Sequence, residues 1–215
     1  MENLLICAAV EFELARLLPA LRREEGAWRG LLGRLQVEAL PIGIGPVDAA
    51  LGAASALARR PDTAIFVGSC GAFPGSALPI GSAVVVERSV LTASDAAAGL
   101  SYVPGPAQVE ARGDAALCAA LAAGGAPLVG AATVVAITRD AGRAAQLQRF
   151  TGCETEHLEA FSFLRAAAAA GVPAACVLGV SNEVGPLAHE QWKAHGDEAA
   201  AAAIAVLQRW AGAER

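Results

Sequence analysis

Charge is scarce in this 215-residue sequence: Asp, Glu, Lys and Arg make up 17% against 55% hydrophobic residues, and the formal net charge is -5. The few basic residues are scattered, densest at Arg22-Arg23 and Arg59-Arg60. A chain without a basic stripe has no electrostatic footprint for nucleic acid, so a small-molecule partner is expected. Long apolar runs are also missing. The longest, Ala166 to Val180, is broken by Gly171 and Pro173 and is too short to span a bilayer, so no membrane partner is expected. The first residues, Met1-Glu2-Asn3, offer no basic region before Leu4-Leu5-Ile6-Cys7-Ala8-Ala9-Val10, which reads as a strand rather than a signal peptide, so a cytoplasmic protein is expected. Five cysteines (Cys7, Cys70, Cys118, Cys153, Cys176) contain no Cys-x-x-Cys pair, which argues against a disulfide framework or a zinc site. No linker composition interrupts the chain. Its length suits one large α/β domain over residues 1–215.

What is present alternates between two periodicities. Strand-like runs occur at Leu4–Val10, Leu35–Pro41, Ala64–Gly68, Ser82–Arg88, Val129–Ile137 and Ala174–Val180. Helical spacing occurs at Glu11–Arg23, Val47–Arg60, Asp114–Ala123, Asp140–Phe150, Leu158–Ala170 and His189–Trp210. The pattern predicts an α/β domain with a central mixed sheet flanked by helices. One irregular segment, Thr92–Val109, holds Tyr102 and Pro104-Gly105-Pro106 and is longer than a routine connection; it fits a lid, a binding loop or a surface excursion.

Open α/β sheets bind ligands at the carboxyl ends of their strands, and here polar or glycine-rich residues follow several of them. After the first strand come Glu11 and Glu13, which point to different sides of a helix start; the local pattern lets either serve as a general base while the other is solvated. Gly43-Ile44-Gly45 permits a tight strand-to-helix turn but lacks the third glycine of a dinucleotide fingerprint. Gly68-Ser69-Cys70-Gly71 offers a hydroxyl and free backbone donors, or simply a tight turn, and is not the Gly-x-Ser-x-Gly of a nucleophile elbow. Cys153-Glu154-Thr155-Glu156-His157-Leu158-Glu159 brings three carboxylates and an imidazole to the start of an apolar helix, with Glu159 in its first turn. A carboxylate there must be paired, hydrogen-bonded or neutralised, unless it only complements the helix dipole. The three histidines, His157, His189 and His195, lack metal-ligand spacing and read as structural or surface residues.

The order of these pieces resembles the purine nucleoside phosphorylase and nucleosidase superfamily, specifically its hydrolytic branch, which contains methylthioadenosine/adenosylhomocysteine nucleosidase and futalosine hydrolase. The resemblance rests on Ala8-Ala9-Val10-Glu11-Phe12-Glu13, Gly43-Ile44-Gly45-Pro46-Val47-Asp48-Ala49-Ala50, Val67-Gly68-Ser69-Cys70-Gly71-Ala72, Ile80-Gly81-Ser82-Ala83-Val84-Val85, Glu156-His157-Leu158-Glu159-Ala160 and Val180-Ser181-Asn182. It implies the nucleoside phosphorylase-like fold and a nucleosidase that needs no metal or organic cofactor. By the same resemblance Glu13, with Ser69, positions and activates water. Glu159 binds the ribose hydroxyls, in a motif that usually reads Met-Glu where this chain has Leu158-Glu159. Glu156 and Gly71 join the substrate-binding set, and Thr138 falls where the base pocket is lined.

Asn182 stands where adenine-specific members carry an Asp. A neutral amide donates to a 6-oxo group and accepts from protonated N7, which suits an oxopurine. Ser181-Asn182-x-Val184-Gly185 with Trp192 looks like the futalosine hydrolase form of this segment, although Trp192 also fits ordinary packing of the last helix. The expected reaction is therefore hydrolysis of a purine nucleoside, futalosine first, to release hypoxanthine in menaquinone biosynthesis. Alternatives are methylthioadenosine/adenosylhomocysteine nucleosidase, a phosphorylase, or a nucleoside-binding protein without turnover. Glu11 and Glu13 occupy the place where the related phosphorylases hold phosphate, and carboxylates repel phosphate. The family's basic residues near the last strand are replaced by Leu178 and Leu187. A homodimer or higher homo-oligomer is implied.

Overall fold

In the computed structural model, which describes residues 2–213, the strands in chain order are β1 (Asn3–Ala8), β2 (Leu21–Glu24), β3 (Ala27–Leu32), β4 (Leu35–Pro41), β5 (Thr63–Ala72), β6 (Ala83–Leu91), β7 (Glu110–Arg112), β8 (Leu128–Thr133), β9 (Thr155–His157) and β10 (Ala174–Glu183). The helices are α1 (Gly45–Leu57), α2 (Ser94–Ala97), α3 (Ala115–Ala122), α4 (Ala141–Thr151), α5 (Ala160–Ala170) and α6 (Ala188–Gly212). β5 pairs with β10, β10 with β6, β6 with β8, β8 with β9, and β9 returns to β5, so these five strands close on themselves. From β5 the sheet continues outward through β1, β4, β3 and β2, and β7 sits on β6.

The apolar strands are explained by burial on both faces, as expected where helices cover a sheet. In β1, Leu5 and Cys7 enter one core, beneath α1 and α5, while Leu4 and Ile6 enter the other, beneath α3 and α6. Asp114 and Asp140 cap α3 and α4 by accepting the backbone N–H groups of Leu117 and Arg143 at 2.9 and 2.8 Å. Gly152 and Gly171, in the left-handed conformation, end α4 and α5. No described helix is long and apolar enough to cross a membrane.

Four expectations need correction. The helix expected over Glu11–Arg23 is two short 3-10 turns, Glu11–Leu14 and Leu18–Ala20, followed by the β2–β3 hairpin. Pro19 cannot donate to a continuing helix, and Glu25-Gly26, with φ of 49° and 82°, makes a two-residue reversal of the kind that suits twisted strands. Ser69 and Gly71 are not in a turn, because β5 runs on to Ala72. The strand expected over Val129–Ile137 stops at Thr133, which frees Val134–Ile137 as a loop. Finally, Thr155–His157 is strand rather than an approach to a helix; α5 starts at Ala160, so Glu159 is its N-cap and not in its first turn.

Candidate active site

A cavity of about 550 Å³ opens where β1, β5 and β10 end. Those ends bring together Glu13, Ser69, Gly71, Glu156, Leu158, Glu159 and Asn182, seven of the eight residues singled out from sequence. The eighth, Thr138, does not line the cavity, though its neighbours Ile137 and Arg139 do. Thr138 is buried and holds Glu156 instead: its N–H donates to Oε1 at 3.0 Å and its hydroxyl to Oε2 at 2.5 Å.

Glu13 resolves the choice left open between two acids. Glu11 is half-buried and lies 3.9 Å from Arg23, whereas Glu13 turns inward and is 7% exposed. One carboxylate oxygen of Glu13 accepts the Ala9 N–H at 3.1 Å; the other accepts the Ser69 N–H at 3.0 Å and the Ser69 hydroxyl at 3.3 Å. The indole N–H of Trp192, on α6, donates to the Ser69 oxygen at 3.3 Å. That leaves the serine proton pointed at Glu13. Burial, reinforced by the negative charge of Glu159, pushes the Glu13 carboxyl up to about 7. Phe12 meets Trp192 edge-on at 6.3 Å and His189 lies parallel to it at 6.1 Å, so two rings contact the indole.

Glu159 lies at the meeting of two helices. It occupies the N-cap position of α5 without a capping bond from its side chain, and one carboxylate oxygen accepts the N–H of Gly45, the first residue of α1, at 2.6 Å. Gly45 has a φ of 82°, a left-handed conformation that a residue with a side chain would strain to hold. The other oxygen lies 3.3 Å from Nε2 of His157. His157 Nδ1 accepts the N–H groups of Glu159 and Ala160 at 3.1 and 3.0 Å, so the ring hydrogen must sit on Nε2. Burial lowers the His157 pKa to about 3, which keeps the ring neutral. Glu159 is itself pushed up to about 7 by burial.

Asn182 reaches the cavity because the β5–β10 ladder contains a bulge. Val180 pairs with Cys70 and Asn182 with Gly71, leaving Ser181 as the extra residue. The Ser181 hydroxyl lies 2.8 Å from Asn182 Oδ1 and 3.1 Å from the Cys70 carbonyl, and Asn182 Nδ2 donates to the Glu183 carbonyl at 3.1 Å. A Cβ at position 71 would stand 2.8 Å from Asn182 Nδ2 and 2.8 Å from Val184, so only glycine leaves room for the amide.

His157 and His189, expected to be structural or surface residues, both line the cavity, together with Arg139 and Phe12, for which the sequence suggests no role. An imidazole two residues before a buried acid was the available signal for His157. Nothing local marked Arg139, which reaches the cavity because β8 ends early. No residue of 92–109 lines this cavity. Among the described residues no group of three or more His, Cys, Asp or Glu side chains is arranged to hold a metal ion. All five cysteines are free and buried, and burial pushes the Cys70 thiol, at the cavity wall, up to about 12. Chemically, the arrangement gathers at one cavity a hydrogen-bonded acid poised to exchange a proton near neutrality, a second acid fixed at a helix N-terminus and an amide.

The family described as "Phosphorylase superfamily" matches residues 4–211 of the chain. Futalosine hydrolase of Thermus thermophilus is 35% identical over 181 residues, with 78% of each protein covered. Among solved structures, a futalosine hydrolase mutant of Helicobacter pylori strain 26695 superposes with a TM-score of 0.86 at 18% identity, covering 98% of both chains. The methylthioadenosine/adenosylhomocysteine nucleosidase of Streptococcus pneumoniae, in complex with 8-aminoadenine, gives 0.86 at 21% identity over 100% of both.

Proposed function

The chain belongs to the phosphorylase superfamily, and within it we propose that it hydrolyses the N-glycosidic bond of a 6-oxopurine nucleoside, with futalosine as the substrate and hypoxanthine as the released base. The similarity to futalosine hydrolase supports the reaction class and the substrate. The observation that carries the reading is Asn182, an amide at the cavity wall whose oxygen and nitrogen are both oriented by neighbours. The wider role, on this reading, is a step of menaquinone biosynthesis.

Cleavage of the bond between C1′ and N9 leaves a cationic sugar and sends the bonding pair to the purine, in the manner of other glycoside hydrolyses. Glu159 accepts hydrogen bonds from the ribose hydroxyls and its charge favours the cation. Asn182 donates to O6 and accepts from N7, which takes a proton from solvent as the bonding pair arrives; the proton that Glu13 later releases to solvent restores the balance. The oxygen of water bonds to C1′ on the face held by Ser69, and Glu13 takes the water's proton. Glu13 suits that role because its carboxyl is raised to about 7, so near neutrality it is both available as a base and strong enough to act as one. Phosphate is not the nucleophile on this reading, since Glu13 and Glu159 would repel it.

The same reading includes a homodimer. Ile44 at the cavity rim and Val47 and Leu51 on α1 are exposed apolar residues, and a second copy would cover them.

The test is incubation of purified protein in phosphate-free buffer with futalosine, inosine, methylthioadenosine and adenosylhomocysteine, following the released base by chromatography. Hypoxanthine from futalosine is the expected product. Adenine release would overturn the role of Asn182, release only on adding phosphate would make the protein a phosphorylase, and no release in either buffer would make it a binding protein.

A further inference from the structure

The densest positive charge along the chain is at Arg22-Arg23 and Arg59-Arg60, and the cavity that holds Glu13 uses neither pair. The fold gives the second pair a neighbour. A groove of about 460 Å³ lies where the parallel strands β1 and β4 begin, the end of the sheet opposite Glu13. Arg29 of β3 lines it together with Arg59 and Arg60, which follow α1, and one carboxylate, Glu38 of β4, faces these three guanidinium groups.

Glu38 sets their geometry. Its Oε1 accepts Arg29 Nη2 at 2.9 Å and Nε at 3.2 Å, and the same oxygen accepts Arg59 Nη1. Arg29 also donates to Glu25, at the β2–β3 turn, at 3.3 Å. Arg29 is therefore a brace held by carboxylates on two sides. Arg59 keeps its Nε and Nη2 donors open, and the side chain of Arg60 has no partner among the described residues.

The backbone at Arg60 is an independent observation. Its φ is 53°, in the left-handed region, just after α1 ends, whereas the chain leaves α4 and α5 through Gly152 and Gly171. Glycine holds that conformation without strain, and a residue with a side chain does not. The dipole of α1 accounts for positive charge at this end. It does not account for an arginine where glycine would turn the chain freely, and strain of this kind collects at functional positions.

We propose that this groove binds a phosphate group, free or carried on a small organic molecule, with Arg59 and Arg60 donating to its oxygens while Glu38, braced by Arg29, holds Arg59 in place. The planar guanidinium fork matches two phosphate oxygens, and a groove with more guanidinium groups than carboxylates suits an anion. Its volume is that of a small-molecule site, and Leu4, Leu31 and Val37 offer apolar surface to an organic substituent. The site is separate from the reaction proposed for the chain. α1 is 13 residues, roughly 20 Å, long; Glu159 holds its first residue and these arginines lie just past its last.

Isothermal titration calorimetry of the intact chain with inorganic phosphate and with phenyl phosphate, at pH 8 and physiological salt, tests the assignment. The wild type is expected to bind. Arg60→Gly is expected to weaken binding at least tenfold while its urea midpoint stays the same or rises, because the strain leaves with the donor. Arg59→Gln is expected to weaken binding to a similar extent. Tighter binding of phenyl phosphate assigns an organic phosphate, and equal affinity assigns the free ion. A lower midpoint in Arg60→Gly would show that Arg60 serves the fold, and the site then stands or falls on Arg59→Gln. No binding by the wild type overturns the site. Binding that both variants retain places the phosphate elsewhere, the Glu13 cavity included, and overturns it as well.

Discussion

His157 turns its Nε2–H toward Glu159, 3.3 Å away, because its other nitrogen is already taken by the backbone N–H groups of Glu159 and Ala160. The helix end thus selects the tautomer, and the tautomer orients the acid. Phe66 packs edge-on against the ring at 5.3 Å and fixes its plane. His157→Asn places an oxygen near Nδ1 to serve the same two N–H groups but has nothing to give Glu159. Its expected effect is a loss of about tenfold in kcat/KM, dominated by KM, the size of one lost hydrogen bond to a charged group. Steady-state kinetics on the released base checks this.

The same variant changes acid stability. His157 has a folded-state pKa of about 3, below its ordinary value of 6.5, so the unfolded chain binds a proton more readily than the folded one between those pH values. Its contribution is present above pH 6.5 and is lost as pH falls toward 3, reaching about 3 kcal/mol by pH 4. Urea unfolding of the wild type should lose stability over this window, and His157→Asn should show a flatter acid limb.

Glu13 predicts the opposite slope. Its folded pKa of about 7 lies above the ordinary 4.5, so the fold favours the protonated acid. The associated stability is present below pH 4.5 and is lost as pH rises through 7. Glu13→Gln removes this dependence, and the variant should gain about 2 kcal/mol over the wild type between pH 5 and pH 8 in thermal or urea unfolding. Activity moves the other way: if Glu13 is the base, the variant loses about 100- to 10,000-fold in kcat while still binding the base, and wild-type kcat/KM rises with pH through about 7. Equal activity of the two proteins would remove Glu13 from the reaction.

Trp192 supplies the hydrogen bond that points the Ser69 proton at Glu13. Trp192→Phe keeps a ring against Phe12 and His189 but has no N–H. Expected is a fall of about 3- to 10-fold in kcat with little change in thermal stability, since the lost interaction is a neutral hydrogen bond to a part-exposed group. A large stability loss with unchanged kcat would reduce Trp192 to packing.

Gly71→Ala should damage the site more than the fold. The new methyl meets Asn182 Nδ2 and the Val184 side chain at 2.8 Å, a clash of about 1–3 kcal/mol that is relieved most easily by displacing the amide. Affinity for hypoxanthine should fall at least tenfold in isothermal titration while circular dichroism stays native.

Much of the fold was legible along the chain. β4 was expected over Leu35–Pro41 and is found there, and the starts of α3 and α4 were marked by the capping residues Asp114 and Asp140. Long elements with strong periodicity outweigh their surroundings. The failures are short or context-dependent: β9 has three residues and exists because β5 and β8 lie on either side of it. β2 is a charged strand at the sheet's outer edge, where the pattern lacks an apolar face strong enough to overrule the helical spacing of Leu14, Leu17, Leu18 and Leu21.

The sequence by itself determined the two-sided apolar strands, the helix caps and the residue types available for chemistry, because these depend on near neighbours and on which groups tolerate burial. The tertiary structure alone decided what those groups do. Glu11 and Glu13 are alike in the chain, and one became a buried acid only because Ser69, 56 residues away, offers it two donors. Glu156 and Asn182 are also apart in sequence; the pairing of β9 with β5 sets the first beside Gly71, and a one-residue bulge in β10 sets the second there. Position across a sheet is fixed by register, and register is a property of strands that have already met.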